Sequence, residues 1–206
     1  MLRAATSRLQ SLKWGAFVTL IALALLSPAV AAETSATGVS ASRTIRSSAG
    51  GSWNLIDTRG RPVSERDLKG KPSVIFFGFT YCPDICPTTL LAMTAWMKKL
   101  GKDANKLNVV FITLDPKRDT PAILAQYLSY FDPRIRGLTG TSAQVAIAAK
   151  RYGVSYQIVP ADAGEYSIAH SSMIYLIGRD GRLADTIGRQ LTEAEALGKL
   201  RRLSRN

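Results

Sequence analysis

Only two cysteines and one histidine occur in this chain of 206 residues, and the two cysteines are close together. Cys82 and Cys86 flank the tripeptide PDI. If this segment is helical, the i, i+4 spacing brings the two Cα atoms to about 6 Å. A disulfide can bridge that distance, and two thiolates so placed can also bind one metal ion at about 2.3 Å. The spacing therefore leaves three alternatives: a structural disulfide, a redox-active dithiol and part of a metal site.

A disulfide between these cysteines would add little to stability, because it would close a very short loop and remove little entropy from the unfolded chain. The composition, with 46% hydrophobic and 20% charged residues, is ordinary for a globular protein. A chain of this length can bury a core without covalent links. The thiols are therefore free for chemistry, although a structural disulfide stays the alternative for an exported protein. The redox motif C-x-x-C is one residue shorter than this pair.

The cysteines follow a segment typical of a buried strand. SVIFFGFT, residues 73–80, is almost continuously apolar, as expected of a strand that is covered on both faces. Residues 87–100 have helical apolar spacing, with proline at the start and lysines near the end. The cysteines thus lie between the carboxyl end of a strand and the start of a helix, where α/β folds place their ligands. The helix dipole is expected to lower the pKa of a thiol at this position.

His170 is the only imidazole that the chain can offer to the two thiols. A lone histidine is more commonly a surface or core residue than a ligand. This one ends a predicted long loop, residues 161–169, and comes just before a predicted strand that starts at Ser172. Two thiolates and one imidazole form a soft set of three donors that suits Cu(I), whereas zinc would require a fourth ligand.

The remaining patterns predict an α/β sandwich that begins with a hairpin near Ser52, with its turn at residues 58–62. A crossover connection through the helix after the cysteines links two buried strands. The other predicted elements are a strand at 107–114, helices at 120–131, 142–152 and 192–203, and a hairpin of strands at 172–177 and 183–187.

Residues 1–32 have the composition of an export signal or an N-terminal membrane anchor. A basic start is followed by an uncharged apolar run from Trp14 to Ala32, which contains a small-x-small cleavage pattern and is long enough to span a membrane. Residues 33–50 are rich in Ser, Thr, Ala and Gly and predict a flexible linker. Residues 51–206 then form the domain. We expect a periplasmic location, in solution or anchored in the inner membrane; the alternative is the mitochondrial inner membrane, facing the intermembrane space.

The chain carries a formal net charge of +12 at pH 7. Of its basic residues, only Arg3, Arg8 and Lys13 lie in the predicted leader, so the domain itself is basic. Such a surface favours anionic partners or an anionic membrane face. Nucleic-acid binding is not predicted, because the basic residues are dispersed and no basic-aromatic motif is present.

Several stretches of the sequence together resemble the signature of the SCO/SenC family. The most specific is FGFTYCPDICP, Phe77–Pro87, combined with the distal His170. The segments LDPKRDTP, Leu114–Pro121, and LKGK, Leu68–Lys71, agree with the family in order and spacing. The resemblance covers roughly residues 50–203.

What the resemblance implies is a thioredoxin-like α/β fold, with a central mixed sheet flanked by helices and an inserted hairpin. It also implies an exported or membrane-tethered copper-binding protein that helps to assemble the dinuclear copper centre of cytochrome c oxidase subunit II. The family's ligands correspond to Cys82, Cys86 and His170, which would hold Cu(I) and could also support Cu(II). A periplasmic protein would donate the copper, and subunit II or another copper-accepting protein would receive it.

The same residues are compatible with a thiol-disulfide oxidoreductase. In that alternative Cys82 or Cys86 attacks a disulfide in a copper-accepting partner, and the other cysteine resolves the mixed disulfide. The resemblance supports both roles, so the chain is either a metallochaperone or a reductase, with a peroxidase-like role as a third and weaker alternative. His170 discriminates between the first two, because dithiol exchange does not need an imidazole.

One position departs from the family's pattern. The residue before the histidine is often Asp in the family and is Ala169 here, so an adjacent carboxylate that would orient the imidazole is missing. Asp84, Asp115 and Asp119 could supply charge near the site, but at least two of these three are expected to be solvated loop residues.

Overall fold

A computed structural model describes residues 52–161 and 165–206. The predicted leader, residues 1–32, and the predicted linker, residues 33–50, lie outside the described residues, as does Gly51. Within the described ranges, no helix combines the length and the apolar composition that a membrane span requires.

The described residues form nine strands. They are β1 Asn54–Asp57, β2 Pro62–Ser64, β3 Ser73–Gly78, β4 Asn108–Thr113, β5 Ile135–Thr139, β6 Tyr156–Pro160, β7 Tyr166–His170, β8 Ile174–Ile177 and β9 Leu183–Ile187. Seven of them make one mixed sheet in the order β2-β1-β5-β4-β3-β8-β9, and β6 pairs with β7 separately. The central strands β5, β4 and β3 are parallel, and antiparallel strands flank them on both sides.

Helices accompany the sheet in the order that the sequence predicts. The α-helices are α1 Ile85–Leu100, α2 Pro121–Leu128, α3 Ser142–Arg151 and α4 Glu193–Arg205, and short 3-10 helices cover Glu65–Leu68 and Gly101–Lys106. A mixed sheet flanked by helices confirms the predicted α/β class. The opening hairpin and the hairpin of β8 and β9 are also confirmed.

The strands β3 and β4 are apolar because the sheet is covered on both faces at its centre. Every residue of β3 is buried, and in β4 only Asn108 is partly exposed. Their parallel register pairs Ser73 with Asn108 and Gly78 with Thr113. The loops that follow Gly78 and Thr113 therefore meet at one edge of the sheet, the carboxyl edge. The residues that precede Ser73 and Asn108 meet at the opposite edge, the amino edge.

Local polar contacts set where the helices begin. Thr192 and Glu195 form the predicted capping box of α4, each side chain bonding to the backbone N–H of the other residue. The helix α1 begins at Ile85, two residues before the predicted start, so that Cys86 lies in its first turn. Pro87 is compatible with this position because the first N–H groups of a helix have no partner within it.

Three strands of the structure, β5, β6 and β7, were not predicted from the sequence. The strand β5 was not predicted; its sequence IRGLT mixes Arg and Gly with apolar residues. The predicted loop at 161–169 is wrong for residues 166–169, which form β7 and pair with β6 as a hairpin. The strand β6 is largely exposed and β7 is mostly half-buried, with only Ile168 fully buried, so the sequence has no continuous apolar run there. His170 is consequently the last residue of a strand.

Candidate metal centre

The three predicted ligand residues meet at the carboxyl edge of the sheet. Cys82 lies in the loop after β3, Cys86 in the first turn of α1, and His170 at the end of β7. One ligand atom from each residue lies within 4.8 Å of the ligand atoms of the other two. The distance from Cys86 Sγ to His170 Nε2 is 3.5 Å. Elements far apart in sequence thus converge on a space that one metal ion could fill.

The two thiols differ in their surroundings. Both cysteines are free; Cys82 is half-buried and Cys86 is buried. The backbone N–H of Cys86 donates to Cys82 Sγ at 3.4 Å, as the first turn of a helix allows. Solvent, or a partner protein, can therefore approach the site from the side of Cys82.

The predicted lowering of a thiol pKa is wrong for Cys86. Burial raises the pKa of this thiol well above its usual range; the hydrogen bond with the backbone of Phe79 lowers the pKa in part, and the neighbouring Cys82 raises it further. The apolar surroundings outweigh the helix dipole because Cys86 has no contact with water. Metal ligation requires the thiolate, so a bound cation must overcome this cost of deprotonation.

A glycine makes room for the buried sulfur. A Cβ atom at Gly78 would lie 2.8 Å from Cys86 Sγ and 2.9 Å from Cε2 of Phe111. The sulfur therefore packs directly against the backbone at the end of β3. Gly78 was not among the predicted site residues, although a glycine inside an apolar strand indicates such a close approach.

The imidazole of His170 is oriented by the backbone. Its Nδ1 lies 2.8 Å from the carbonyl oxygen of Ser171, and because a carbonyl can only accept, Nδ1 carries the hydrogen. Nε2, which faces Cys86, then has the free lone pair that a metal needs. Burial lowers the pKa of His170, and the hydrogen bond to Ser171 raises it in part. A backbone carbonyl thus does the orienting for which a carboxylate at position 169 would otherwise serve.

Aromatic side chains pack around the imidazole. The ring of Phe79 meets it edge-on at a centroid distance of 5.9 Å, and the ring of Phe76 lies at 6.5 Å. Both phenylalanines are buried. Since these rings belong to β3 and to the loop after it, the histidine is held against the same segment that carries Cys82.

The acids near the site are not solvated as predicted. Asp84 is exposed, but Asp115 and Asp119 are buried, at 3% and 0% exposure. The expectation that at least two of the three are solvated loop residues is therefore wrong. Both buried acids lie in the turn after β4, which we call the 115–119 turn, and their contacts explain the burial.

Asp119 holds the strand end that precedes Cys82. Its carboxylate accepts a hydrogen bond from the backbone N–H of Thr80 at 3.0 Å and from the hydroxyls of Thr80 and Thr113 at 2.5 and 2.6 Å. Burial raises the pKa of Asp119, while these hydrogen bonds lower it in part. A buried carboxyl that satisfies three donors at once fixes the geometry of the loop.

Arg118 connects the cysteine loop to the hairpin that carries His170. Its guanidinium lies 3.8 Å from the ring centroid of Tyr166 and 4.7 Å from that of Tyr81. It also donates to the carbonyl oxygen of Tyr166 at 3.0 Å, and the hydroxyl of Tyr166 donates to Asp115 at 2.7 Å. Since Tyr81 precedes Cys82 and Tyr166 begins β7, the 115–119 turn braces both ligand-bearing segments.

The arrangement of donors decides which ions the site can hold. Two sulfurs and one imidazole nitrogen form a soft set, and soft ligands favour Cu(I) over Mg²⁺ or Ca²⁺. A metal ion held by these three residues would stay accessible on the side of the half-buried Cys82. A permanent structural zinc site would normally be closed by a fourth protein ligand.

The sequence of the chain matches a known family and several of its members. The family model described as SCO1/SenC matches residues 41–205. The chain is 46% identical over 156 residues to Protein SCO2, mitochondrial, of Saccharomyces cerevisiae, covering 74% of this chain and 52% of that protein. A SCO2-like protein of Rickettsia felis is 44% identical over 135 residues, covering 65% and 66% of the two chains. The chain spans about half the length of the yeast relative.

Solved structures agree with the described fold. The structure of Bradyrhizobium japonicum ScoI with copper bound has 44% identity and a TM-score of 0.70, covering 75% of this chain and 99% of that one. Yeast Sco1 with copper bound has 39% identity and a TM-score of 0.71, covering 77% and 89%. The described domain thus matches nearly the whole of the solved ScoI chain. These similarities confirm the predicted thioredoxin-like fold, and the chain belongs to the SCO1/SenC family.

Proposed function

We propose that the protein is a metallochaperone that binds one copper ion through Cys82, Cys86 and His170 and transfers it to the dinuclear copper site of cytochrome c oxidase subunit II. The convergence of two free sulfurs and the Nε2 of a single histidine within 4.8 Å carries the proposal. The bound copper in two solved relatives and the family membership support it. In this role copper is cargo, and an accessible site of three donors would lower the barrier to its transfer.

The asymmetry of the thiols gives the donors different roles. Cys86 and His170 are held against the core by packing around Gly78 and Phe79, so they retain the ion. Cys82 is half-buried and lies where a thiolate or imidazole of the acceptor can approach. We expect the acceptor to add to the open side before the bond to Cys82 is released. The soft donor set favours Cu(I), and the imidazole also supports Cu(II).

Copper competition tests this assignment. The reduced protein is titrated with Cu(I) in the presence of a chelator of known affinity, together with the variants His170→Ala and Asp84→Ala. Asp84 lies between the cysteines but is exposed and is not a soft donor, so its variant controls for changes in the loop. We expect one Cu(I) per chain, weaker binding for His170→Ala and unchanged binding for Asp84→Ala. Equal affinity of His170→Ala and wild type would remove the histidine from the site.

A second candidate function is a thiol-disulfide oxidoreductase that reduces the cysteines of a copper-accepting partner. The half-buried Cys82 favours it, since its thiolate could attack a partner disulfide and expel one partner thiolate. Cys86 would then displace the second partner thiolate and leave a Cys82–Cys86 disulfide, a balanced transfer of two electrons. The variant His170→Ala separates the roles: chaperone function requires the imidazole, whereas disulfide exchange does not. Loss of partner reduction in His170→Ala would argue against the reductase.

The location of the protein is part of the proposal. The leader at residues 1–32, as an export signal or a membrane anchor, and the linker at 33–50 would place the domain of residues 51–206 in the periplasm or at the inner membrane facing it. The yeast relatives are named as mitochondrial proteins, which keeps the intermembrane space as the alternative. Cell fractionation with N-terminal sequencing of the mature protein tests this: recovery of the chain in the cytosol would contradict it.

A further inference from the structure

The end of the domain opposite the metal centre carries a concentration of positive charge. The amino edge of the sheet, the end of α1 and the end of α4 lie together there. Lys71 precedes β3, Lys106 precedes β4, and the other members belong to the 3-10 helix after α1 and to α4. We call this group the basic end; its members are Lys71, Lys102, Lys106, Arg201, Arg202 and Arg205.

Contacts within the basic end show that its charges are neighbours. Asp103 is ion-paired with Lys106 at 2.8 Å, and the positive charges of Lys106, Arg205 and Arg201 all act on it to lower its pKa. Arg179, in the turn after β8, donates to a main-chain oxygen of Asn206 at 2.8 Å and so brings the end of α4 to the amino edge. One carboxylate therefore faces several exposed guanidinium and ammonium groups, which leaves a net positive surface.

The start of the described domain lies beside the turn between β8 and β9. Ser52, where the predicted linker meets the domain, lines a cleft together with Lys69, Asp180 and Arg182. The last two belong to the turn between β8 and β9, and that turn lies at the amino edge because Ile177 pairs with Ser73. The segment ahead of Ser52 contains the apolar run that predicts export or membrane anchoring.

We propose that the basic end docks on the surface of an anionic lipid bilayer and holds the metal centre away from it. The charge complementarity of the basic end with anionic headgroups carries this inference, and the cleft that Ser52 shares with the turn between β8 and β9 is compatible with it. The helix α1 has 16 residues and spans about 24 Å between the two ends. The half-buried Cys82 then faces the solvent, open to a partner domain that protrudes from the same membrane. This inference is independent of which metal or redox chemistry the site performs.

Vesicle binding tests the docking surface. Residues 52–206 are used, because this part matches nearly the whole of the solved ScoI chain, and circular dichroism checks that it folds on its own. We expect co-sedimentation with vesicles of phosphatidylcholine containing about one third phosphatidylglycerol, and release at 1 M salt, where the Debye length falls to about 3 Å. Vesicles of pure phosphatidylcholine should not bind. Equal binding to both kinds of vesicle, or to neither, overturns the proposal.

Matched charge variants locate the surface. The double variant Arg201→Gln/Arg205→Gln removes two exposed cations of the basic end, and Lys117→Gln/Arg189→Gln removes two exposed cations elsewhere. We expect the first to lower the vesicle partition coefficient about tenfold or more and the second to change it little. Equal losses would mean that net charge alone drives binding and would overturn the proposed surface. Tighter binding of the wild type to duplex DNA than to vesicles would overturn it in favour of a nucleic acid.

A separate measurement tests how the bound domain is oriented on the bilayer. Alkylation of the reduced protein by a water-soluble maleimide reports the access of Cys82, since Cys86 is buried. If the basic end faces the bilayer, the rate should be the same for vesicle-bound and free protein. A rate several-fold slower on vesicles would mean that the metal centre faces the lipid, and would overturn the proposed orientation.

Discussion

The two thiols of the metal centre belong to one short segment but are supported in different ways. Cys86 is fixed by apolar packing: it is fully buried and its sulfur lies against the backbone of Gly78 and the ring of Phe111. Cys82 lies in a loop that is fixed by polar contacts, beside the exposed Tyr81, which is 62% accessible. Packing tolerates little displacement, whereas a loop can move once its hydrogen bonds are exchanged. The comparison shows that the fold holds the two sulfurs by different kinds of contact, and under the proposed function Cys86 would be the retained donor and Cys82 the exchangeable one.

The largest expected effect comes from removing the polar support. Asp119→Ala leaves the N–H of Thr80 and the hydroxyls of Thr80 and Thr113 without their buried acceptor. We expect the free energy of unfolding of the apo domain to fall by about 3 kcal/mol. The loop that carries Cys82 should become more mobile, and alkylation of this thiol should become faster. Urea unfolding and maleimide kinetics measure the two effects.

Asp84→Ala is the control for this experiment. Asp84 is exposed, and its side chain bonds only weakly to the hydroxyl of Thr88, at 3.3 Å. We expect its stability to differ from that of the wild type by less than about 0.5 kcal/mol. If both aspartate variants had the same stability and alkylation rate, the loop would be held by contacts other than those of Asp119. The polar contacts would then not explain the difference between the two thiols.

The apolar packing of Cys86 is tested by filling the space beside its buried sulfur. In Gly78→Ala a methyl group would lie 2.8 Å from Cys86 Sγ, so the sulfur or the Phe111 ring must move. We expect a loss of stability of about 2 kcal/mol and a weaker affinity for Cu(I), because Cys86 leaves its position relative to His170. Urea unfolding and chelator competition are the measurements.

Gly198→Ala is the matched control for Gly78→Ala. Gly198 lies within α4, where an added Cβ would meet only the guanidinium of Arg202, at an ordinary 3.6 Å. Alanine favours a helix over glycine by about 1 kcal/mol, so this variant should be as stable as the wild type or more so, with unchanged copper affinity. Unchanged affinity in Gly78→Ala would show that the buried sulfur is free to adjust, which is the opposite of a retained donor.

The sequence predicts the parts of the site that rest on apolar packing better than the parts that rest on exposed pairing or polar contacts. Apolar runs predicted β3 and β4, and the position of Cys82 and Cys86 between a strand and a helix followed from them. The partly exposed hairpin of β6 and β7 has no such run, so its strands were missed and His170 was assigned to the end of a loop. Patterns of burial repeat along the chain, whereas exposed pairing between two short strands leaves little periodicity to detect.

The supporting acids were missed for a related reason. Asp115 and Asp119 follow a strand in a segment rich in charge, which is typical of a solvated loop. Their burial depends on partners distant in sequence: Thr80 for Asp119 and Tyr166 for Asp115. The lowered thiol pKa was predicted from the helix dipole alone, since the depth at which Cys86 is buried is a tertiary property.

A smaller effect is expected from changing Arg118, which connects the hairpin of β6 and β7 to the loop that carries Cys82. Arg118→Lys keeps the charge but loses the planar stacking between Tyr81 and Tyr166 and the hydrogen bond to the carbonyl of Tyr166. We expect a loss of about 1 kcal/mol in stability and a changed absorption spectrum of the Cu(II) form, because the imidazole shifts relative to the sulfurs. The neighbouring exchange Lys117→Arg, at an exposed residue, should change neither. An unaltered spectrum in Arg118→Lys would mean that the hairpin holds His170 without this brace.

The smallest effect is a pH dependence that distinguishes the two kinds of support. Burial raises the pKa of Asp119 above 3.8, so the folded state binds its proton more tightly than the unfolded state. The contribution of this group to stability is then greatest below about pH 3.8 and is lost as the pH rises through the folded pKa. The stability difference between the apo wild type and Asp119→Asn should therefore shrink over this interval and level off above it.

The variant Asp132→Asn should show the opposite pH dependence of the stability difference from the wild type. The hydrogen bond from Arg134 holds the pKa of Asp132 below 3.8, so its contribution is present above that pH and is lost as the pH falls through the folded pKa. Urea unfolding of the wild type and both variants across this range compares the two slopes. If the difference for Asp119→Asn instead grew with pH, the buried carboxylate would itself be stabilised by its three donors. The loop that carries Cys82 would then be held as firmly as the buried Cys86. Cys82 would have no greater freedom to exchange its metal bond than Cys86.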